Sequence, residues 1–152
     1  MKILVFSDSH RFLSGMVQAI EEEKPDQVIH LGDLMGDAEE LSWRFQTLPI
    51  CMVPGNCDGW TTAPAIKRIT LQGRDILLSH GHLWGVKGGY DKAIGEARKS
   101  GVDILLFGHT HRACCQQLED GLWVMNPGAS RTSYGTILLE GDSIFCTLTK
   151  LI

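Results

Sequence analysis

Short polar motifs interrupt this sequence at the points where apolar runs end. They are SDSH (7–10), LGD (31–33), PGNCD (54–58), SHGH (79–82) and GHTH (108–111). Five of the six histidines lie in three of these motifs. Because ligand-binding groups of α/β sheets gather at the carboxyl ends of the strands, we expect the five motifs to meet at one edge of the fold.

The motifs supply carboxylate, imidazole and amide groups that bind divalent metal ions. Asp8 and His10 are two residues apart, as are His109 and His111, so each pair can point the same way from an extended segment. Such oxygen and nitrogen donors suit Mn²⁺, Fe or Zn²⁺, whereas a structural zinc site needs a cysteine cluster that the sequence lacks. The full donor set is Asp8, His10, Asp33, Asn56, His80, His109 and His111, with His82 and Asp37 in reserve.

The number of donors indicates the reaction. Seven are too many for one catalytic ion that keeps a position open for water, but they fit two ions that share a bridging carboxylate. Two ions about 3.5 to 4 Å apart can hold a hydroxide and bind the oxygens of a phosphoryl group. We therefore expect hydrolysis of phosphoesters by a hydroxide held between two metal ions.

The first half of the chain predicts a parallel sheet. The apolar runs 2–6, 27–31 and 49–53 read as strands. Helix-like segments separate them, the second at 37–46. This β-α-β-α-β order implies parallel pairing with right-handed crossovers.

The second half changes in character. Residues 65–71 and 75–80 predict a hairpin, 89–99 a helix, and 103–108 a buried strand. From Arg112 onward, the turn signals EDG, NPG and EGD predict three or four short strands in an antiparallel meander.

Composition places the chain among ordinary globular proteins. It has 152 residues, 43% of them hydrophobic and 21% charged, which fits one domain. A net charge of −4 without a basic stripe argues against nucleic acid as a partner. Five cysteines without a CxxC pair favour reduced thiols in the cytoplasm, and no apolar run approaches the roughly 20 residues of a membrane span.

Taken in order, the motifs D-x-H, G-D, G-N, H-G-H and G-H-T-H resemble those of the calcineurin-like metallophosphoesterase superfamily. The match spans residues 3–128, and GNCD is similar to the compact bacterial and archaeal phosphodiesterase branch, whose fold also serves the retromer scaffold subunit. The resemblance implies an α/β fold, a two-sheet β-sandwich flanked by helices (α/β/β/α), with residues 1–152 as a single metallophosphoesterase domain. It also implies two divalent metal ions, with Mn²⁺ as the first choice and Ni²⁺, Fe or Zn²⁺ as alternatives.

The resemblance also assigns ligands by motif position. It implies Asp8, His10 and His111 for one ion, Asn56, His80 and His109 for the other, and Asp33 as the bridge. Asn56 would donate an oxygen without adding negative charge, so the ions would keep their attraction for a phosphate. His82 is a candidate catalytic residue, which could contact substrate or support a ligand.

In many members of the superfamily that this sequence resembles, the position of Cys57 is a histidine, which the resemblance implies would protonate the leaving group or stabilise its charge. A thiol with an ordinary pKa of about 8.5 is a weak donor. General acid catalysis typically contributes about 10² to 10⁴ in rate, so its absence should favour good leaving groups. We therefore predict a phosphodiesterase for small phosphodiesters, in which Cys57 marks the position of the absent acid.

Two alternatives stay open from the sequence. A phosphomonoesterase for a small metabolite would use the same ions but would need additional positive contacts for a dianion. A non-catalytic protein-binding scaffold, as in the retromer subunit, would have no chemical need for seven metal donors. The sequence leaves the oligomeric state open, and a homo-oligomer is compatible with it.

Several other polar and aromatic residues have structural expectations. We expect His30 to be a hydrogen-bonded core histidine, Asp37 to cap a helix, and Asp58 to hold its loop in shape. Trp43 and Phe45 are expected to be packing residues of the second helix.

Overall fold

The structure, a computed structural model, describes residues 1–151. Two mixed sheets of five strands each are flanked by three helices in one domain. The strands are β1 (Lys2–Phe6), β2 (Gln27–His30), β3 (Ile50–Met52), β4 (Ile66–Leu71), β5 (Arg74–Ser79), β6 (Ile104–Leu106), β7 (Cys114–Gln117), β8 (Trp123–Asn126), β9 (Ser133–Glu140) and β10 (Ser143–Lys150). The helices are α1 (Ser14–Glu23), α2 (Met35–Arg44) and α3 (Asp91–Ser100), with short 3₁₀ turns at His82–Trp84 and Val86–Gly88. The predicted two-sheet fold is confirmed.

Pairing within the sheets follows most of the sequence pattern. The first sheet has the order β10-β9-β1-β2-β3, and β1, β2 and β3 are parallel as predicted. The second sheet has the order β4-β5-β6-β8-β7, and β4 and β5 form the predicted antiparallel hairpin.

The predicted C-terminal meander is wrong, although all four of its strands exist. β7 and β8 join the second sheet, where β8 pairs parallel with β6. β9 and β10 form a hairpin in the first sheet, where β9 pairs antiparallel with β1. Turn signals locate strand ends, but they do not determine which sheet edge a strand will join.

Burial on both faces explains the continuous apolar runs. In β1, Ile3 and Val5 pack in the core between the sheets, whereas Leu4 and Phe6 pack in a cluster with Met16 of α1. Strands covered on both sides read as unbroken apolar runs.

The second sheet repeats this arrangement. Leu78 and Leu106 belong to the core between the sheets. Leu105 packs instead in a cluster with Ala93 and Ala97 of α3. Helices therefore cover the outer faces of both sheets.

Helix α2 differs from the expectation at one position. Phe45 is partly buried, as predicted, against the cluster that contains Met16, and Leu41 is buried in the same cluster. Trp43, however, is 78% exposed, so its predicted packing role is wrong. Trp43 lies two residues from both Leu41 and Phe45, a spacing that turns it to the opposite face of the helix. None of the described helices is long and apolar enough to cross a membrane.

The topology brings the strand exits to one edge. The N–H of Asp8, after β1, donates to the carbonyl of Gly32, after β2, at 2.8 Å. In the second sheet, the N–H of Gly108, after β6, donates to the carbonyl of His80, after β5, also at 2.8 Å. The polar motifs of the two sheets also meet each other, because the His109 N–H, after β6, donates to Asp8 Oδ2, after β1, at 3.0 Å.

Candidate metal centre

The Asp8 carboxylate lies at the middle of the polar cluster. Its Oδ2 accepts hydrogen bonds from the Ser7 hydroxyl at 2.6 Å and from the His109 backbone N–H at 3.0 Å. These bonds fix the carboxylate so that Oδ1 faces the histidines. Three imidazole nitrogens surround Oδ1: His111 Nε2 at 3.1 Å, His80 Nε2 at 3.6 Å and His10 Nε2 at 4.0 Å.

Asp33 offers a second buried carboxylate beside the first. Its Oδ1 accepts the backbone N–H of Cys57 at 2.9 Å, and its Oδ2 lies 3.3 Å from His80 Nε2. Burial acts to raise the pKa of Asp33, but hydrogen bonds from His80 and Cys57 hold that pKa well below its usual range. Asp33 is therefore ionised and available to a cation.

The orientation of His80 is fixed by the backbone. Its Nδ1 lies 2.8 Å from the carbonyl oxygen of Leu31, which can only accept a hydrogen bond, so Nδ1 carries the proton. Burial acts to lower the pKa of His80, but the hydrogen bond to Asp33 and the charges of Asp8 and Asp33 raise it. The hydrogen bond at Nδ1 thus holds the other ring nitrogen, Nε2, next to the carboxylates of Asp8 and Asp33.

A divalent ion fits this donor set. In a neutral His80 the Nε2 lone pair faces the Asp33 carboxylate, and His109 Nδ1 lies only 3.1 Å from Nε2. A cation is the group that satisfies carboxylates and lone pairs directed at one point. Two groups have ligand atoms that all lie within 4.8 Å of one another: Asp8, His10 and His111, and Asp8, Asp33 and His80.

Left-handed backbone conformations occur at most of the predicted ligands. The φ values are 53° at Asp8, 44° at His10, 49° at Asp33, 69° at His109 and 60° at His111. This conformation costs roughly 1 to 2 kcal/mol for a residue with a side chain. Such residues cluster at functional sites, where surrounding contacts hold them in place.

A buried hydrogen-bond chain supports the turn that carries Asp8 and His10. The Gly32 N–H donates to His30 Nδ1 at 3.1 Å, so His30 Nε2 donates to the Ser9 hydroxyl at 2.9 Å. Ser9 then donates to Asp37 Oδ2 at 2.6 Å, and the Arg11 N–H donates to the same oxygen at 2.7 Å. Burial lowers the pKa of His30 to about 4, which keeps the ring neutral. The prediction of a hydrogen-bonded core histidine is confirmed.

Asp37 has a different role from the one predicted. Helix α2 begins at Met35, its N-cap position is Leu34, and no side chain caps it. Asp37 is 4% exposed and binds the 8–11 turn instead. The prediction failed because the helix begins two residues earlier than the sequence pattern indicates.

Asp58 holds its loop in shape, as predicted. Its carboxylate accepts backbone N–H groups from Gly55 at 2.6 Å, Asp33 at 3.0 Å and Met35 at 2.6 Å. One side chain thereby joins the 55–58 loop to the turn after β2.

Position 55 requires glycine, because the backbone there passes close to the Asp33 carboxylate. A Cβ added there would overlap the Asp33 carboxylate, lying 2.8 Å from its Cγ. The next residue, Asn56, is exposed, and its amide nitrogen lies 3.7 Å from Cys57 Sγ. Asn56 therefore sits on the loop that contacts Asp33, and its role as a ligand stays a prediction.

The two candidate catalytic residues lie beside the cluster. The His82 ring centroid is 5.6 Å from that of His80 and 6.2 Å from that of His109. Burial and the charge of His80 lower the pKa of His82, and its buried Nδ1 has no hydrogen-bond partner among the described residues. Cys57 is exposed, and a hydrogen bond to Asp33 raises the pKa of its thiol. Cys57 is therefore an even weaker acid than a free thiol.

Sequence reasoning missed the residues that hold the ligands in place. Ser7 and Ser9 flank Asp8, and both donate to carboxylates of the site. A Cβ added at Gly108 would overlap the Ser7 hydroxyl and lie 2.8 Å from Asp8 Oδ2. The available signal was the alternation of serine with Asp8 and His10 in SDSH, since small hydroxyl residues beside ligands can orient them.

Residues 1–140 match the family model described as "Calcineurin-like phosphoesterase superfamily domain". The chain belongs to this superfamily. The family, together with the Asp/His groups described above, supports a metal-dependent phosphoesterase that binds divalent metal ions.

The similar proteins include a bacterial sequence named as a probable metallophosphoesterase and solved structures of Vps29. A Bacillus subtilis protein called "Probable metallophosphoesterase YsnB" is 35% identical over 154 residues, which covers 94% of this chain and 87% of the relative. The structure of Vps29 from Chaetomium thermophilum has a TM-score of 0.83 at 22% identity and covers 100% of this chain and 88% of its own. Vps29 from Entamoeba histolytica, complexed with Zn²⁺, has a TM-score of 0.76 at 21% identity, with 99% of each chain covered.

Replacing Gly55 with alanine tests the close approach to Asp33. We expect Gly55→Ala to displace the Asp33 carboxylate and to reduce metal affinity or phosphoesterase activity about 10- to 100-fold, as for other changes that disturb ligand support. The measurement is metal content after dialysis, together with hydrolysis of an aryl phosphoester.

The matched control is Gly95→Ala in α3, where an added Cβ has no heavy atom within 4 Å. It should leave metal content and activity unchanged and stabilise the helix by about 0.5 to 1 kcal/mol. Metal content and activity in Gly55→Ala that both equal those of Gly95→Ala would contradict the proposed role of Gly55.

Proposed function

We propose that this protein is a phosphodiesterase that holds two divalent metal ions and hydrolyses small phosphodiesters. The observation that carries the proposal is the convergence of the Asp8 and Asp33 carboxylates on His80 Nε2, at 3.6 Å and 3.3 Å. The hydrogen bond from His80 Nδ1 to the Leu31 carbonyl fixes the ring in this orientation. A group of this kind has the donors for metal ions and lies at the exposed end of the strands, where a substrate has access.

The proposed ligands are those assigned by motif: Asp8, His10 and His111 for one ion, Asn56, His80 and His109 for the other, and Asp33 between them. The clustering of Asp8, His10 and His111 supports the first set. Asp8 also groups with Asp33, the proposed bridge, and with His80 of the second set, so the two proposed sets lie side by side. Mn²⁺ is our first choice, and the zinc complex of the Entamoeba histolytica protein supports Zn²⁺ as an alternative on this fold.

Bound divalent ions would activate water as a nucleophile and neutralise charge on the phosphoryl oxygens. The chain's own residues set up that chemistry. Asp8 and Asp33 provide only two negative charges against two divalent ions, so the centre keeps a net positive charge for an anionic substrate. Asn56 would add a ligand without reducing that charge.

Support for the leaving group is the weak point of the site. Cys57 is exposed beside Asp33, whose hydrogen bond raises the pKa of the thiol. A thiol is also a weaker proton donor than the imidazolium of a histidine, so Cys57 supplies little protonation to a departing oxygen. Preference for substrates with good leaving groups follows, because those need little protonation.

Substitution of the proposed bridge tests the function. Asp33→Asn should lower diester hydrolysis more than about 100-fold, since losing even an outer-shell partner typically costs 10- to 100-fold. Metal content and the rates on a bis-aryl phosphodiester and an aryl phosphomonoester are measured. Asp120→Asn, an exposed aspartate paired with Arg98, is the control and should behave as the parent does.

The same assay separates the alternatives. A parent protein that hydrolyses the monoester faster than the diester is a phosphomonoesterase. A parent protein that takes up no divalent metal and hydrolyses neither ester favours the scaffold, for which the similarity to the Vps29 fold is the supporting observation.

Restoring the missing acid is a further test. Cys57→His should raise rates on diesters with poor leaving groups by up to about 10² to 10⁴, the range of general acid catalysis. It should change the rates on activated aryl diesters much less. The measurement is the slope of log kcat/KM against leaving-group pKa.

Cys57→Ser is the matched control, because it removes the thiol without adding an imidazole. We expect it to keep the steep slope of the parent. A parent slope as shallow as that of Cys57→His would show that no acid is missing.

A further inference from the structure

We propose that a basic cleft beside the metal centre binds a second anionic group of the substrate. The basic cleft is lined by Val86, Lys87, Gly88, Gly89, Tyr90, Thr110 and Arg112. The inference rests on the proposed diesterase function and deepens it: the preferred substrates are phosphodiesters with a phosphate or carboxylate on one arm.

The basic cleft shares a loop with the metal centre. Thr110 stands between His109 and His111, two of the proposed ligands, and Arg112 follows directly. The cleft holds a volume of about 500 Å³, enough for one substituent of a small diester. None of the seven proposed ligands lines it. Its occupant is therefore a group other than the phosphoryl group at the metal centre.

Charge distinguishes this cleft from another one that borders the site. Lys87 and Arg112 line the basic cleft, and no Asp or Glu does. The other cleft contains Arg11, but it also contains Asp37, Glu40 and Asp58. Carboxylates therefore offset the positive charge of Arg11 in the other cleft, whereas none offsets the charges of Lys87 and Arg112 in the basic cleft.

Both cations of the basic cleft have free charged groups. Lys87 and Arg112 are exposed, and neither appears in an ion pair with any carboxylate of residues 1–151. Lys87 lies in the 3₁₀ turn Val86–Gly88, which follows the SHGH motif along the chain.

The loop that carries Arg112 is held firmly. Asn126, which is fully buried, donates from its amide nitrogen to the Gly108 carbonyl at 3.1 Å and to the Thr110 hydroxyl at 2.9 Å. The same hydroxyl accepts the Arg112 N–H at 3.1 Å. The backbone from which Arg112 projects is therefore fixed relative to His109 and His111.

These residue types suit phosphate and carboxylate. Guanidinium forms paired hydrogen bonds with such anions, and an ammonium group attracts them as a point charge. Gly88 and Gly89 leave one wall without side chains, which lets an anion approach the backbone. An uncharged arm would gain none of the contacts with Lys87 and Arg112.

A pair of substrates and a double variant test the inference. We compare kcat/KM for an aryl phosphodiester with an uncharged second arm against matched diesters whose second arm ends in phosphate or in carboxylate. The parent should prefer a charged arm by about tenfold, the effect of one charge-assisted contact. The two charged arms show which anion the cleft takes.

In the variant Lys87→Gln with Arg112→Gln, the preference should disappear. The matched control is Arg44→Gln with Lys99→Gln, which removes the same charge from exposed positions outside the cleft and should keep the preference. A preference that survives in the first variant, or that is absent in a parent protein that does hydrolyse diesters, overturns the inference.

A binding measurement keeps the outcome separate from catalysis. The full chain is titrated with inorganic phosphate and with acetate, with and without Zn²⁺, while backbone amide shifts are recorded by NMR. Shifts at Lys87 to Tyr90 that are lost in the Lys87→Gln/Arg112→Gln variant support the cleft. If the parent shows these shifts but hydrolyses no diester, only the proposed function is overturned. Diester hydrolysis without such shifts or any preference would overturn the cleft and leave the proposed function intact.

Discussion

The buried carboxylates of Asp8 and Asp33 are the constraint on which the rest of the site depends. Each is 2% exposed, and both face the fully buried ring of His80. Buried charges are costly unless they are paired. The arrangement therefore requires a positive charge at its centre, supplied either by a proton on His80 or by metal ions. Family membership and the number of surrounding donors favour metal.

The fold supplies this arrangement at a cost in backbone conformation. The two sheets place their strand exits at one edge, and the chain then leaves the strands through left-handed residues such as Asp8 and Asp33. Hydrogen bonds to nearby carboxylates offset the cost of these left-handed conformations. Asp58 binds three backbone N–H groups, and Asp37 receives the Ser9 hydroxyl and the Arg11 N–H. The site is held by residues that would not bind metal themselves, which is typical of sites whose ligands must be oriented in advance.

The sequence predicted what depends on local pattern. Apolar runs identified the parallel strands β1 to β3 and the β4–β5 hairpin, and motif spacing identified the donors that the structure brings together around Asp8. It did not predict what depends on long-range partners. β8 and β9 join different sheets, Asp37 binds a turn 26 residues away along the chain, and Gly55 is needed because Asp33 lies against it. Lys87 and Arg112 form one cleft only because the 3₁₀ turn and the GHTH loop meet in space.

Anomalous scattering from crystals grown with saturating Mn²⁺ tests the central claim most directly, because it locates ions without reference to activity. The account predicts two peaks on either side of the Asp33 carboxylate, one coordinated by Asp8, His10 and His111 and the other by Asn56, His80 and His109. The absence of any peak among these side chains would contradict it. So would a single peak that Asp33 does not contact.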